Sequence, residues 1–138
     1  MHNKTVYIAK TETKGGRDNG VSRSSDGLLY VRLSMPGSER IGTNPEQLLA
    51  AGWSASFADA IALAARKRKI PLPSKISIDA EVDLNLGERG YFLGARFNVK
   101  IPGLECHIAK DLIDEAAELC PYSKATRGNV EATIKLVD

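Results

Sequence analysis

Residues 44–69, NPEQLLAAGWSASFADAIALAARKRK, constrain this chain more than any other stretch, because they are its longest helix-forming run. The start is well marked. Asn44 is a good N-cap, Pro45 takes the first helical position, where a missing N–H costs nothing, and Gln47 can reach back as in a capping box. Leu48, Leu49, Ala55, Ala58, Ile61, Ala62 and Ala65 leave little of the helix fit to face water before Arg66. Gly52, Ser54, Ser56 and Asp59 interrupt that apolar texture. Small and polar residues inside a buried helix cost propensity and desolvation, so either another backbone approaches closely there or the helix lines a pocket.

The rest of the chain sets the class. With 138 residues it suits one domain over 1–138, large enough to bury a core without staples. Hydrophobic residues at 43% and charged residues at 26% fit a soluble globular protein. The formal charge is +2, with both signs interspersed. Only Arg66, Lys67, Arg68 and Lys69 cluster, at a helix end whose dipole they complement, and no aromatic residue interleaves with them. No nucleic-acid partner is expected. No apolar run reads as long enough to span a bilayer, and MHNKTVYIAK lacks a signal-peptide core, so the expectation is a cytoplasmic protein with no membrane partner. Cys106 and Cys120 are too few for a disulfide framework. Placed on one helix and its end they stand about 20 Å apart along the axis, too far to bridge.

In chain order, residues 5–13 alternate enough for a strand with Val6, Ile8 and Ala9 inward, and 14–25 form a Gly-, Asp- and Ser-rich loop holding Arg17 and Arg23. Residues 28–34 predict a second strand with Leu29, Val31 and Leu33 on one side. After the long helix, Pro71 and Pro73 bar continuation. Residues 75–86 alternate strictly, with Ile76, Ile78, Ala80, Val82, Leu84 and Leu86 pointing one way, and 91–101 return as the hairpin partner. Residues 104–119 form an amphipathic helix burying Ile108, Leu112, Ile113, Ala116 and Leu119, which Pro121 stops. Residues 129–137 close the chain as a strand. The order β-β-α-β-β-α-β implies an α+β domain, an antiparallel sheet packed with two long helices. A helix as apolar as the first needs cover on more than one side, and a second subunit would supply it.

Familiar catalytic signatures are missing: there is no HExxH, no Cys-x-x-Cys, no P-loop and no GxGxxG in a βαβ context. The two histidines, His2 at a chain end and His107 in a helix's first turn, do not suit a triad or a zinc site. The polar residues in odd places are Arg17 in its glycine loop, Glu46 in a first helical turn, Ser56 within that helix and Cys120 just before a proline.

Three segments carry a resemblance. NPEQLLAAGWSASF over 44–57, CPYSKATRGN over 120–129 and GGRDNGVSRSSDG over 15–27 resemble the organic hydroperoxide resistance proteins, thiol peroxidases of the Ohr/OsmC family, and the likeness runs through essentially the whole chain. It implies an OsmC-like, intertwined homodimer with sites at or near the subunit interface. It also implies a peroxide-attacking cysteine on the NPEQL helix, a resolving cysteine at Cys120, and a guanidinium and carboxylate, Arg17 and Glu46, that prepare the attacking sulfur. No bound cofactor is implied; the reductant is an external dithiol, dihydrolipoamide or a lipoyl-bearing protein.

The attacking position falls on Ser56, where the family pattern reads Ser-Ala-Cys-Phe and this chain reads Ser54-Ala55-Ser56-Phe57. A peroxidatic thiolate is a soft nucleophile accessible near neutral pH, and its attack leaves a sulfenic acid that a second thiol condenses to a disulfide. A serine hydroxyl is barely ionised and forms no disulfide, so the chain is expected to bind an organic hydroperoxide and fail to turn it over. Ser56 is read either as an introduced replacement of cysteine, the reading favoured by the presence of Cys120 without a partner, or as a natural loss.

Each residue also has a plainer role. Cys120 alone is a small buried hydrophobe at a helix end, Arg17 a solvated loop residue, Glu46 a first-turn acid favoured by the helix dipole, and Ser56 a small residue at a packing contact. Cys106 is a bystander. Asp59 and Arg127 are candidates for the edges of the site. An organic tail needs apolar walls, for which Leu48, Leu49, Trp53, Phe57 and Tyr122 are candidates, core being the safer reading for any one of them. The functional alternative is a non-enzymatic peroxide- or lipid-binding member of the family in which Ser56 is native.

Overall fold

The computed structural model describes residues 2–138 and divides into two compact units, one up to Leu48 and one over Leu49–Asp138. The first unit is a three-stranded antiparallel sheet of β1 (Thr11–Lys14), β2 (Val21–Ser24) and β3 (Tyr30–Arg32), in that order. The loop between β1 and β2 closes because Gly20 has no side chain: a Cβ there would stand 2.6 Å from the Gly16 carbonyl oxygen. That oxygen accepts the Gly20 N–H at 2.8 Å.

This unit departs from the sequence reading in two places. The strand expected over 5–13 begins only at Thr11, and Val6, Ile8 and Ala9 face outward. Strand β2 pairs back only as far as Thr11, so residues 5–9 have no partner strand among the described residues, and the Lys10 carbonyl only accepts the Ser25 N–H at 3.0 Å. Strand β2 itself lies in what the sequence presents as loop. Its residues VSRS show no apolar alternation because neither face of this hairpin is buried. The strand expected over 28–34 is shorter and its alternation holds only in part: Leu33 is buried and makes an isolated parallel bridge to Thr43, Val31 is half-buried, but Leu29 is exposed like Leu28 and Tyr30.

Helix α1 (Pro45–Lys67) starts at the cap the sequence marks, with Asn44 Oδ1 accepting the Gln47 N–H at 2.9 Å. Gln47 Oε1 accepts from the Thr43 hydroxyl at 2.5 Å, in place of the reciprocal bond of a capping box. At the far end Lys69 takes φ +57° and the Ile70 N–H reaches the Ala65 carbonyl at 2.9 Å, a left-handed stop ahead of Pro71.

The second unit owns the core. Its sheet has the order β4-β5-β6, with β4 (Ser77–Gly87) and β5 (Gly90–Lys100) forming the expected hairpin. Strand β6 (Glu131–Leu136) lies parallel to β5, where an antiparallel sheet was expected. The connection from β5 to β6 crosses over through α2 (Cys106–Leu119) and α3 (Pro121–Thr126), and a crossover returns a strand in the same direction. The short helix α3 was not expected; Pro121 stops α2 and then serves as the first residue of α3, a position that needs no N–H.

One apolar cluster unites this unit. The α1 stripe Trp53, Phe57, Ile61, Ala64 packs with Phe97 and Val99 of β5 and with Leu112 and Ala116 of α2. Full burial of side chains as large as Phe97 or Leu112 stabilises the fold by about 1.5–3 kcal/mol each. Phe97 is central, its ring edge-on to Trp53 at 4.9 Å and to Phe57 at 6.1 Å. On β4 the inward residues Ile78, Ala80 and Val82 join this cluster, but Leu84 and Leu86 are exposed, because the cluster ends at Val82 while the strand runs on. In α2, Ala109 takes a fully buried place and Ile108 and Leu119 flank it half-buried.

Two expectations about α1 change. Within one chain it is covered along a single stripe, and Ala55 and Leu63 remain exposed. Its 23 residues, with a window of mean hydropathy 1.5 that is 33% buried, are long and apolar enough by length and composition to cross a membrane, contrary to the expectation that no run is. The buried stripe explains much of that apolar character, since Trp53, Phe57 and Ile61 lie against protein.

Candidate functional site

The four polar residues singled out by the sequence occur as two pairs, each inside one unit. In the first unit the Gly15–Gly20 loop presents Arg17 to Glu46 in the opening turn of α1. The contact is bidentate: Arg17 Nη1 donates to Glu46 Oε1, and Nη2 donates to Oε2 at 3.1 Å. The Arg17 side chain is 35% exposed and that of Glu46 16%. Such a fork-to-carboxylate contact fixes a guanidinium in direction as well as in charge, and the α1 dipole favours the acid at that end.

In the second unit Cys120 Sγ donates to Ser56 Oγ at 3.5 Å. The local sequence explains why the sulfur points there. A residue before proline is pushed out of the helical region, and Cys120, with φ −66° and ψ 122°, is at once the last cap of α2 and the first cap of α3. Its N–H still bonds the Ala116 carbonyl at 2.8 Å and its carbonyl accepts from Lys124 at 3.0 Å. The corner is therefore held on both sides while the thiol, fully buried, turns toward α1. Ser56 is half-buried on the facing turn. A thiol in place of that hydroxyl would meet Cys120 sulfur to sulfur.

The other candidates fall in varied places. Trp53 and Phe57 are wholly inside the core, Leu48 and Leu49 are half-buried on α1, and Tyr122 is 39% exposed. Arg127 Nη2 donates to the Ala117 carbonyl at 2.6 Å, satisfying one of the orphan acceptors at the end of α2. Asp59 is exposed on α1. Cys106 is an exposed thiol at the start of α2 and Cys120 is free as well. His107 lies 3.4 Å from Glu105 in solvent. Among the described residues no three His, Cys, Asp or Glu side chains converge as metal ligands would.

Sequence reasoning passed over Ser123, whose buried hydroxyl accepts from Trp53 Nε1 at 3.4 Å. The only sign of it was its place in the CPYS segment. Ser54, one of the residues that break the texture of α1, is accounted for locally: its hydroxyl donates to the Ala50 carbonyl at 2.7 Å.

Residues 36–135 match the family model described as OsmC-like protein. An organic hydroperoxide resistance protein of Xanthomonas axonopodis pv. citri is 39% identical over 137 residues, covering 96% of each chain. The crystal structure of an organic hydroperoxide resistance protein from Legionella pneumophila superposes with TM-score 0.91 at 41% identity, covering 98% of this chain and all of that one. OhrB of Bacillus subtilis gives 0.85 at 37% identity over 96% of this chain and all of its own. With the α+β order of elements and these matches in agreement, the chain belongs to the OsmC-like family, among relatives named as organic hydroperoxide resistance proteins.

Proposed function

We propose that this chain is the scaffold of a dithiol-dependent organic hydroperoxide reductase whose attacking thiol is replaced by the Ser56 hydroxyl. The observation that carries the reading is the contact of Cys120 Sγ with Ser56 Oγ at 3.5 Å, a resolving thiol facing the residue it should resolve. In the complete reaction a thiolate at position 56 attacks one peroxide oxygen, the O–O bond breaks, and the organic alkoxide leaves as the alcohol after taking a proton. The sulfur, now a sulfenic acid, condenses with the Cys120 thiol, releasing water and forming a disulfide. An external dithiol such as dihydrolipoamide, or a lipoyl-bearing protein, then reduces that disulfide by two exchanges and is itself oxidised to the cyclic disulfide. The family resemblance assigns the guanidinium that prepares the attacking sulfur to Arg17, and within the first unit Glu46 orients it. Tyr122 and Leu49, the partly exposed candidates of the second unit, offer apolar surface to the organic tail. With serine at 56 the first step stops, and the protein binds the peroxide without consuming it.

The working form in this reading is a cytoplasmic homodimer. Among the described residues up to Leu48 one large apolar side chain, Leu33, is buried, while Val6, Tyr7, Ile8, Leu28 and Ile41 stand exposed. A segment with so little buried surface does not offset its ordering entropy alone, and a second copy is the cover this reading assigns.

Ser56 itself favours a second reading, a binding protein in which the hydroxyl is native and the site holds a peroxide or lipid without chemistry. Treating Ser56→Cys with one equivalent of an organic hydroperoxide separates the two. The peroxidase reading expects loss of two hydrogens from the intact mass and a linkage from the introduced thiol to Cys120. A stable sulfenic acid, or no change, supports the binding protein.

A further inference from the structure

Gly52 lies in the interior of α1, where alanine would be the better helix former, so its retention calls for a local reason. The reason lies across the helix pair. A Cβ built at Gly52 would stand 3.0 Å from the Tyr122 hydroxyl oxygen and 3.5 Å from Cζ, so the phenol tip occupies the space a side chain would need. Gly52 and Ser56 are four residues apart and share one face of α1. Tyr122 follows Cys120 by two residues, across Pro121, whose ring fixes φ and stiffens the link. The phenol therefore rests in the notch at Gly52 while the Cys120 thiol meets position 56 one turn further along the same face. The bond from Trp53 Nε1 to Ser123 Oγ ties the next residue of α3 to the same helix.

We propose that Gly52 is a positioning residue: the notch left by its missing side chain seats Tyr122 and, through the turn Cys120-Pro121-Tyr122, holds the Cys120 thiol against position 56. This rests on the peroxidase reading, in which Cys120 must reach that position. The ring carbon at 3.5 Å is in ordinary contact, so the hydroxyl is the atom that would collide with a methyl group at 52. That asymmetry supplies a rescue.

The test uses the full chain carrying Ser56→Cys and the oxidant diamide, with no peroxide. The two thiols give two electrons and two protons to the N=N bond of diamide, which becomes the hydrazine, and the S–S bond forms. Closure is followed by mapping the peptide linked to Cys120. Gly52→Ala is expected to slow closure about tenfold, the size of a modest overpacking clash. Adding Tyr122→Phe, which removes the colliding oxygen, is expected to return the rate to that of Tyr122→Phe alone. Emission of Trp53, the single tryptophan, provides a second reading in the chain with Ser56 intact. It should shift in Gly52→Ala and revert in the double variant. Closure at an unchanged rate in Gly52→Ala, slowing that persists with Tyr122→Phe, or no closure in Ser56→Cys itself would each overturn the proposal. Because diamide replaces the peroxide, failure of the peroxidase reading shows separately, as absence of hydroperoxide consumption by a Ser56→Cys protein that still closes.

Discussion

The two units are stabilised by different means. The segment up to Leu48 holds its glycine loop with a charged pair and, among its described large apolar residues, buries Leu33 alone, whereas the unit over Leu49–Asp138 is built around one apolar cluster with Phe97 at its centre. The difference teaches where each half of the candidate chemistry gets its rigidity. Cys120 and Ser56 are fixed by packing, which is dense and local, while Arg17 is fixed by a bidentate carboxylate, which is directional but open to water.

The sharpest way to break that contrast is to remove the centre of the packed unit. Phe97→Ala deletes the ring that Trp53 and Phe57 both meet edge-on, and is expected to cost about 3–5 kcal/mol in a urea titration followed by Trp53 fluorescence. A loss below about 1 kcal/mol would show that the cluster is loosely packed. Next comes the polar anchor of the other unit. Glu46→Gln keeps the shape and removes the charge, and is expected to lower hydrogen-exchange protection across residues 15–20 by about 1–2 kcal/mol while leaving β4 and β5 unchanged. Equal loss of protection in both units would end the distinction.

The smallest effect is a control on exposed charge. The side-chain hydrogen bond from Arg96 holds the Asp83 carboxyl below its ordinary value of 3.8. Arg96 donates to both Asp83 oxygens, at 2.6 and 2.7 Å, on the solvent face of the β4–β5 hairpin. A carboxyl lowered in the folded state contributes its stability in full above the unfolded value and loses it as pH falls through the folded one. Asp83→Asn should therefore lower the melting temperature slightly at neutral pH, and the difference from the parent should begin to shrink as pH drops below about 4 and vanish only below the lowered folded value. A difference that persisted in acid would assign the effect to packing.

How much of this was legible in the sequence follows the same division. Where a segment buries one face, its pattern reads directly: the α1 cap at Asn44, the β4–β5 hairpin and α2 lie where periodicity puts them, within a few residues. Where nothing is buried, pattern has no physical source. Strand β2 has no apolar alternation because the hairpin has no core face, and residues 5–9 alternate without a partner strand among the described residues. Leu84 and Leu86 show a third limit, since alternation specifies which face a residue points to but not how far the covering helices extend. At the candidate site, the CPYS, NPEQL and GGRDNG segments marked Cys120, Ser56, Arg17 and Glu46. The role of Gly52 as a notch emerges only once Tyr122 is placed against it.

The measurement that tests the central claim most directly is steady-state consumption of an organic hydroperoxide with dihydrolipoamide as reductant, by this chain and by Ser56→Cys. The account predicts turnover by the variant and none by the parent, with Ser56 as the sole lesion in an otherwise working site. Turnover by the parent, or none by a folded Ser56→Cys protein, would contradict it.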